Sequence, residues 1–361
     1  MVFYIVVAVT VSTKQYVGNP IQCWCPAQFT KYQIAYVNSY CWVRNTYKVD
    51  FNSTMPSEKR FRVEEEIPYY QWTPIILLFQ ACLFYAPRLF WKATNGFSPV
   101  NIKKFLQMAN NATFESGDKR EQVVKNTADY FEKYLKIRNI ETTRYQRMQH
   151  TKDRLSSAGA HKGNYLVTVY LMTSLLYFVS SVSQIFIVDV LLGVNFKTFG
   201  PEILRRVSKG LSLLDSERFP VVTFCDFEVR QLMNLQTWTA QCSLPINLFS
   251  EKVFILNWFL LVVMSIANAI YFLYNAVSTC LPYRAETYVQ KFLYIENGVL
   301  IGRNQKTPEH MEDSAKYFVH HHLRRDGVFL LWLLSNKTNQ VVAGEIIDEV
   351  WKNYLKTLSR S

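Results

Sequence analysis

Tyr69–Lys92 reads YYQWTPIILLFQACLFYAPRLFWK. From Trp72 to Ala86 it is almost wholly apolar, with aromatic residues at both ends and Arg88 and Lys92 at one. A helix needs about 20 apolar residues to cover the roughly 30 Å hydrocarbon core of a bilayer, so the stretch predicts a membrane span over 69–91. Tyr69, Tyr70 and Trp72 suit one headgroup region, and Trp91 with Arg88 and Lys92 suits the other, cytoplasmic one. Pro74 is tolerable near the start of such a helix. Pro87 is expected to end or kink it, because proline lacks a donor and clashes with the preceding turn.

Two further runs read the same way. Tyr165–Val188 carries no charged residue before Asp189, and predicts a span over 165–188. Lys252–Leu281 predicts another over 252–281, with Pro282 and Arg284 at its cytoplasmic exit. Met1–Thr13 (MVFYIVVAVTVST) is apolar and β-branched but shorter than the roughly 17 residues a span requires. It has no basic n-region and no small-residue cleavage site, so it reads as a partial first span over 1–13 rather than a signal peptide. Between these lie segments 14–68, 92–164 and 189–251, and a tail over 282–361.

The charge distribution orients them. Net charge is +12, a balance that fits either nucleic acid or an anionic lipid surface. Residues 92–164 hold 14 Lys and Arg against 7 Asp and Glu, whereas 189–250 hold 6 against 6 and 14–68 hold 7 against 5. The excess sits mainly in one inter-span loop, which is the positive-inside signature. A membrane partner is expected, and no nucleic acid. Segment 92–164 and the tail are then cytoplasmic, and 14–68 and 189–251 are extracellular loops.

The same periodicity places smaller elements. Around Glu115–Gln149, Val124, Tyr130, Phe131, Tyr134, Leu135 and Ile137 recur at helical spacing, which predicts a small helical cytoplasmic domain. Gly200-Pro201 opens an amphipathic segment in which Ile203, Leu204, Val207, Leu211 and Leu214 share a face. Val328–Leu334 (VFLLWLL) is too short to span and reads as a buried strand or helix of a tail domain. A final amphipathic helix is expected over Glu345–Leu358. Asn52-Ser53-Thr54 is a glycosylation acceptor on the predicted outer side.

Five of the seven cysteines fall in the two predicted outer loops, where disulfides persist. Cys23 and Cys41 lie in the first, Cys225 and Cys242 in the second. Four cysteines allow three pairings, and spacing alone does not choose. A zinc site lacks CxxC pairs or histidines at ligand spacing, so no metal is expected. Cys25 is the odd one out, read as a free thiol or as a mispairing or intermolecular partner. His320-His321-His322 reads as a solvated polar face. No GxSxG, HExxH or phosphate-loop pattern appears. No catalytic residue and no cofactor are expected, and the chain does not read as an enzyme.

These residues also carry a resemblance. Tyr69-Tyr70-Gln71-Trp72 followed by Pro74 resembles the hallmark at the start of the second span in innexins, the invertebrate gap-junction channel family. Gly18-Asn19-Pro20-Ile21-Gln22-Cys23-Trp24 and Pro26-Ala27-Gln28-Phe29 resemble that family's first extracellular loop. Phe84-Tyr85, Pro87-Arg88 and Trp91-Lys92 resemble the end of its second span, and Phe219-Pro220 with Phe224-Cys225-Asp226-Phe227 its second loop. The resemblance runs from about residue 5 to about residue 280.

It implies an all-α, multi-pass plasma-membrane protein of four transmembrane helices, with both termini cytoplasmic. The extracellular loops would be disulfide-tied, with Cys23–Cys242 and Cys41–Cys225 as the favoured pairs. Subunits, alone or mixed with other innexin-like chains, would ring a large pore and dock to a ring on the neighbouring cell, passing ions and small molecules. Set against the family, the cytoplasmic N-terminus and the inner half of the first span, which line the pore, lie outside this sequence. Two alternatives accompany the gap-junction reading: an undocked hemichannel, favoured if Asn52 carries a glycan on the docking face, and a non-conducting adhesion or modifier subunit, favoured by the missing N-terminus.

Overall fold

The computed structural model describes residues 1–49, 62, 64–96, 100–148, 164–210, 218–298 and 314–358. The chain divides into two compact units, one of Met1–Pro87 with Tyr177–Asn268 and one of Arg88–Leu176 with Ala269–Ser361. Among the described residues, three helices are long and apolar enough to cross a membrane: Tyr69–Asn95, Tyr165–Leu192 and Pro245–Thr279. A fourth is not found. The first helix, α1 (Val2–Tyr16), has 15 residues, too few for a full span.

In the first unit, α1 packs its face of Tyr4, Ala8 and Val11 against Leu77 and Ala81 of α3 (Tyr69–Asn95). A buried polar chain runs across this packing. The Tyr4 hydroxyl donates to Asn257 Oδ1 at 2.8 Å, and Asn257 Nδ2 donates to Gln80 Oε1 at 3.2 Å. Such bonds hold apolar helices together where no water competes.

The long segment before α3 is more ordered than a loop. Helix α2 (Lys31–Arg44) is fixed at its start by a capping box. Gln33 N–H donates to Thr30 Oγ1 at 3.4 Å, and the Thr30 N–H to Gln33 Oε1 at 2.7 Å. Strands β1 (Gln22–Trp24), β2 (Thr46–Tyr47) and β3 (Glu66–Ile67) flank it. After helices α6 (Tyr165–Leu192) and α7 (Phe199–Ser208) come β4 (Val222–Gln231) and β5 (Asn234–Ser243).

These strands correct the all-α expectation. They form one five-stranded sheet of order β1-β5-β4-β2-β3, with every pair antiparallel. Thr223, Cys225 and Phe227 alternate inward along β4, the two-residue period of a half-buried strand. The amphipathic face proposed for 203–214 falls only in part within α7. Ile203 is buried, but Leu204 and Val207 are exposed on α7, and Leu211 and Leu214 fall outside the described residues.

Pro87 neither ends nor breaks α3, which runs on to Asn95. A proline leaves the carbonyl four residues earlier without its helical donor. That carbonyl belongs to Leu83, and Ser180 Oγ of α6 donates to it at 3.2 Å. Pro74 is treated alike: it orphans the Tyr70 carbonyl, and Gln15 Nε2 of α1 donates there at 2.7 Å.

The second unit is helical. Helices α4 (Ile102–Phe114) and α5 (Asp118–Met148) share one core with the tail helices α9 (Pro282–Gly298), α10 (Arg324–Lys337) and α11 (Gln340–Leu358). Phe105, Phe131, Leu135, Phe318, Leu331 and Ile347 lie at its centre. Loop and tail therefore build one domain rather than two. Val328–Leu334 is helical, within α10. Arg120 clamps Glu345 of α11 through two hydrogen bonds at 3.1 and 2.7 Å. Arg138 donates to the carbonyls of Leu323 and His322, both at 3.0 Å. These close the tail onto a π-helical turn over Phe318–Leu323.

Candidate functional site

The sheet of the first unit is built from both cysteine-bearing segments. Strand β1 pairs with β5 and β2 with β4, so neither segment completes it alone. Cys23 stands opposite Cys242 in the β1–β5 register, and the two are bonded, S–S 2.02 Å. Cys41, on the buried face of α2, is bonded to Cys225 of β4, S–S 1.97 Å. Sulfurs of Cys23, Cys41 and Cys242 lie within 4.8 Å of one another, yet all three are spent in disulfides and leave no thiolate for a metal. Each bridge closes a long loop, the case in which a disulfide most restricts the unfolded chain, at about 2–4 kcal/mol.

Cys25 is half-buried against the same core, and its thiol is pushed up by burial. Phe29 meets Trp238 and Phe227 edge-on at 5.4 and 6.2 Å. Phe29 thereby ties the first segment to β4 and β5.

The hallmark residues at the start of α3 join this sheet to the apolar helices. Tyr69 reaches the second segment: its hydroxyl donates to the Arg218 carbonyl at 2.7 Å, and its ring meets Phe219 edge-on at 5.5 Å. Tyr70 and Gln71 reach the first. The Tyr70 ring packs on Trp42 at 4.9 Å, and Gln71 Nε2 donates to the Trp42 carbonyl and to Asn45 Oδ1 at 3.0 Å. Gln71 thus closes the C-terminal end of α2, whose last carbonyls have no helical donor. Trp72 is exposed and Pro74 buried.

Asp226 of β4 is the polar centre that sequence reasoning missed. Thr239 Oγ1, the Tyr47 hydroxyl and Arg62 Nη1 donate to its carboxylate at 2.6, 3.0 and 2.7 Å. Burial alone would push this carboxyl up, but the hydrogen bonds of Thr239, Arg62 and Tyr47 outweigh it and hold the group below its ordinary value. Burial, with Asp226 adding to it, pushes Tyr47 up to about 12. No spacing rule joins residues 47, 62, 226 and 239. The alternation of β4 and β5 was the available signal.

Of the remaining candidates, Asn52 lies outside the described residues. In the histidine run, His320 pairs with Glu286 at 2.6 Å, His321 stacks on Tyr317, and His322 is wedged between Phe318 and Tyr354. Only the first two histidines are exposed.

This arrangement, two segments tied into one sheet and anchored on apolar helices, agrees with comparison to known proteins. The Innexin family model matches residues 1–354. The chain belongs to the innexin family. It is similar to innexin unc-9 of Caenorhabditis elegans, 34% identical over 355 residues that cover 97% of this chain and 88% of the relative. Innexin eat-5 of the same organism is 33% identical, covering 97% and 83%. Innexin-19 of Caenorhabditis briggsae is 30% identical, covering 97% and 82%. Innexins are channel proteins that assemble as oligomers. This innexin functions as a gap-junction channel subunit through which ions and small molecules pass between adjacent cells.

Proposed function

We propose that this innexin crosses the plasma membrane several times, with the disulfide-tied sheet outside the cell and the helical unit in the cytoplasm. Three crossing helices would alternate direction. Segments 17–68 and 193–244 then emerge on one face, and 97–164 with the tail on the other. The cross-segment disulfides carry this reading, because such bonds persist outside the cell. The basic excess of 92–164 favours the opposite face for that segment.

The docking partner is a ring of the same or related subunits on the next cell. Trp24, Tyr32 and Tyr36 are exposed on the first segment, and Leu232 and Met233 are almost fully exposed at the turn between β4 and β5. An exposed apolar tip such as the β4–β5 turn favours an interaction surface there. Selectivity follows from the width and lining charge of the pore. The chain performs no chemistry. Asn52 belongs to the same outer segment, and if it carries a glycan, Asn52→Gln would raise gel mobility.

Dye transfer between paired cells, run beside dye uptake by single cells, tests the reading. Transfer between pairs that both express the chain is expected. Uptake by single cells without transfer between pairs would contradict docking and favour the undocked hemichannel.

A further inference from the structure

The second unit holds a basic, aromatic-lined cavity for which the channel reading has no use. It measures about 390 Å³ and lies where the last turns of α8 (Pro245–Cys280) meet α9 and α10. Cavities of this size hold small ligands. Tyr274, Tyr283, Tyr288 and Trp332 supply aromatic walls, and Arg284, Lys291 and Arg325 supply charge. A second cavity of about 300 Å³ shares Thr279, Ala285, Arg325 and Val328 with the first, and adds Arg324.

Among the described residues these four cations have no acidic partner. The two nearby acids are already engaged: Glu286 pairs with His320 at 2.6 Å, and Asp326 accepts from the Val167 N–H at 3.2 Å. Arg284 lies 5.9 Å from the centre of the Tyr274 ring, which leaves its donors for another acceptor. Positive charge gathered in a concave site without counter-charge calls for an anion, and guanidinium donors match phosphate oxygens. Upstream on α8, Ile270, Leu273 and Val277 are exposed and apolar, as a surface facing acyl chains would be.

We propose that this cavity binds the headgroup of a phosphoinositide-class anionic lipid, with its acyl chains lying along α8. The proposal rests on the topology above, which puts the C-terminal end of α8, with Arg284 of α9 just beyond it, at the cytoplasmic leaflet. Arg284, Lys291 and Arg325 hold the phosphates, while the tyrosines pack on the inositol ring. Bound lipid then ties the tail helices to the end of a membrane-crossing helix, a place from which lipid composition can bias the pore.

The test uses the intact assembly in nanodiscs of phosphatidylcholine containing phosphatidylinositol bisphosphate, with bound phosphoinositide counted by mass spectrometry. The triple variant Arg284→Gln, Lys291→Gln, Arg325→Gln is expected to retain at least about tenfold less, a loss of about 1.4 kcal/mol or more, because it removes the charge-assisted bonds to phosphate. Lys133→Gln, an exposed cation of α5, should retain the wild-type amount, and both variants should keep the wild-type assembly size. Water-soluble inositol bisphosphate at equal concentration should not displace the lipid. Equal retention by the triple variant would overturn the site, and displacement by the soluble headgroup would reassign it to a free anion. Loss of assembly with lipid retention intact would reassign the surface to a neighbouring subunit. Alkaline carbonate extraction of the wild type separates the two readings: a chain released from membranes contradicts the topology, whereas one that stays embedded but retains no phosphoinositide contradicts only this site.

Discussion

Gln15 of α1 donates a 2.7 Å hydrogen bond to the Tyr70 carbonyl, the group that Pro74 leaves without a helical donor. Ser180 does the same for Leu83 below Pro87. Both prolines of α3 are thus kept inside a continuous helix by side chains of neighbouring helices, which is how apolar helices tolerate them. The contact also locks α1 to the residue whose ring packs on Trp42 of the disulfide-tied segment.

Gln15→Leu should therefore destabilise the purified protein by about 1–3 kcal/mol, the cost of a buried carbonyl left unpaired. In a Pro74→Ala background, which restores the missing N–H, the same substitution should cost clearly less. Thermal unfolding of the four proteins in detergent gives the coupling. Equal costs in both backgrounds would refute the compensation.

Gly200 of α7 sits against the Trp258 indole, and a Cβ added there would lie 2.1 Å from the ring. Gly200→Ala must displace a packed indole and should cost about 1–3 kcal/mol, as overpacking does. Trp258→Leu should remove most of the penalty of a following Gly200→Ala. Unfolding midpoints of the single and double variants decide.

His322 is lowered to about 4, first by its burial and then by the nearby charges of Arg138 and Lys136. Its neutral form is the one the fold accepts, so the unfolded chain takes up the proton more readily below its ordinary value of 6.5. The stability contribution is therefore complete above pH 6.5 and is lost as pH falls from 6.5 toward 4. Protection factors of the tail-helix amides, with the intrinsic pH dependence of exchange divided out, should fall over that window. His322→Phe, which keeps the stacking on Phe318 and Tyr354, should flatten the change.

Much of this was legible in the sequence because bilayers demand length and apolarity. The three long helices appear as runs such as Tyr165–Val188, and the family as Tyr69-Tyr70-Gln71-Trp72 with Pro74. The helix ends were less so: α8 begins at Pro245, where Asn247, Ser250 and Glu251 made the sequence look like loop. Helix α2 was announced by Thr30 and Gln33 at capping-box spacing, a signal hidden among aromatic residues. The β4–β5 hairpin was obscured at its turn, where Leu232 takes a positive φ of 55° instead of the usual Asn-Gly. The Asp226 cluster and the shared core of loop and tail join residues far apart in sequence. No local pattern encodes them.

If the two cysteine-bearing segments dock as one disulfide-tied unit, junctional conductance between paired cells depends on the bridges that join them. Pairs expressing the wild type should couple. Cys41→Ser and Cys225→Ser should each abolish coupling while surface biotinylation still finds the chain, and the double variant should be no worse than either single one, because one bond is lost in all three. Undiminished conductance in the Cys41→Ser pair would contradict the account.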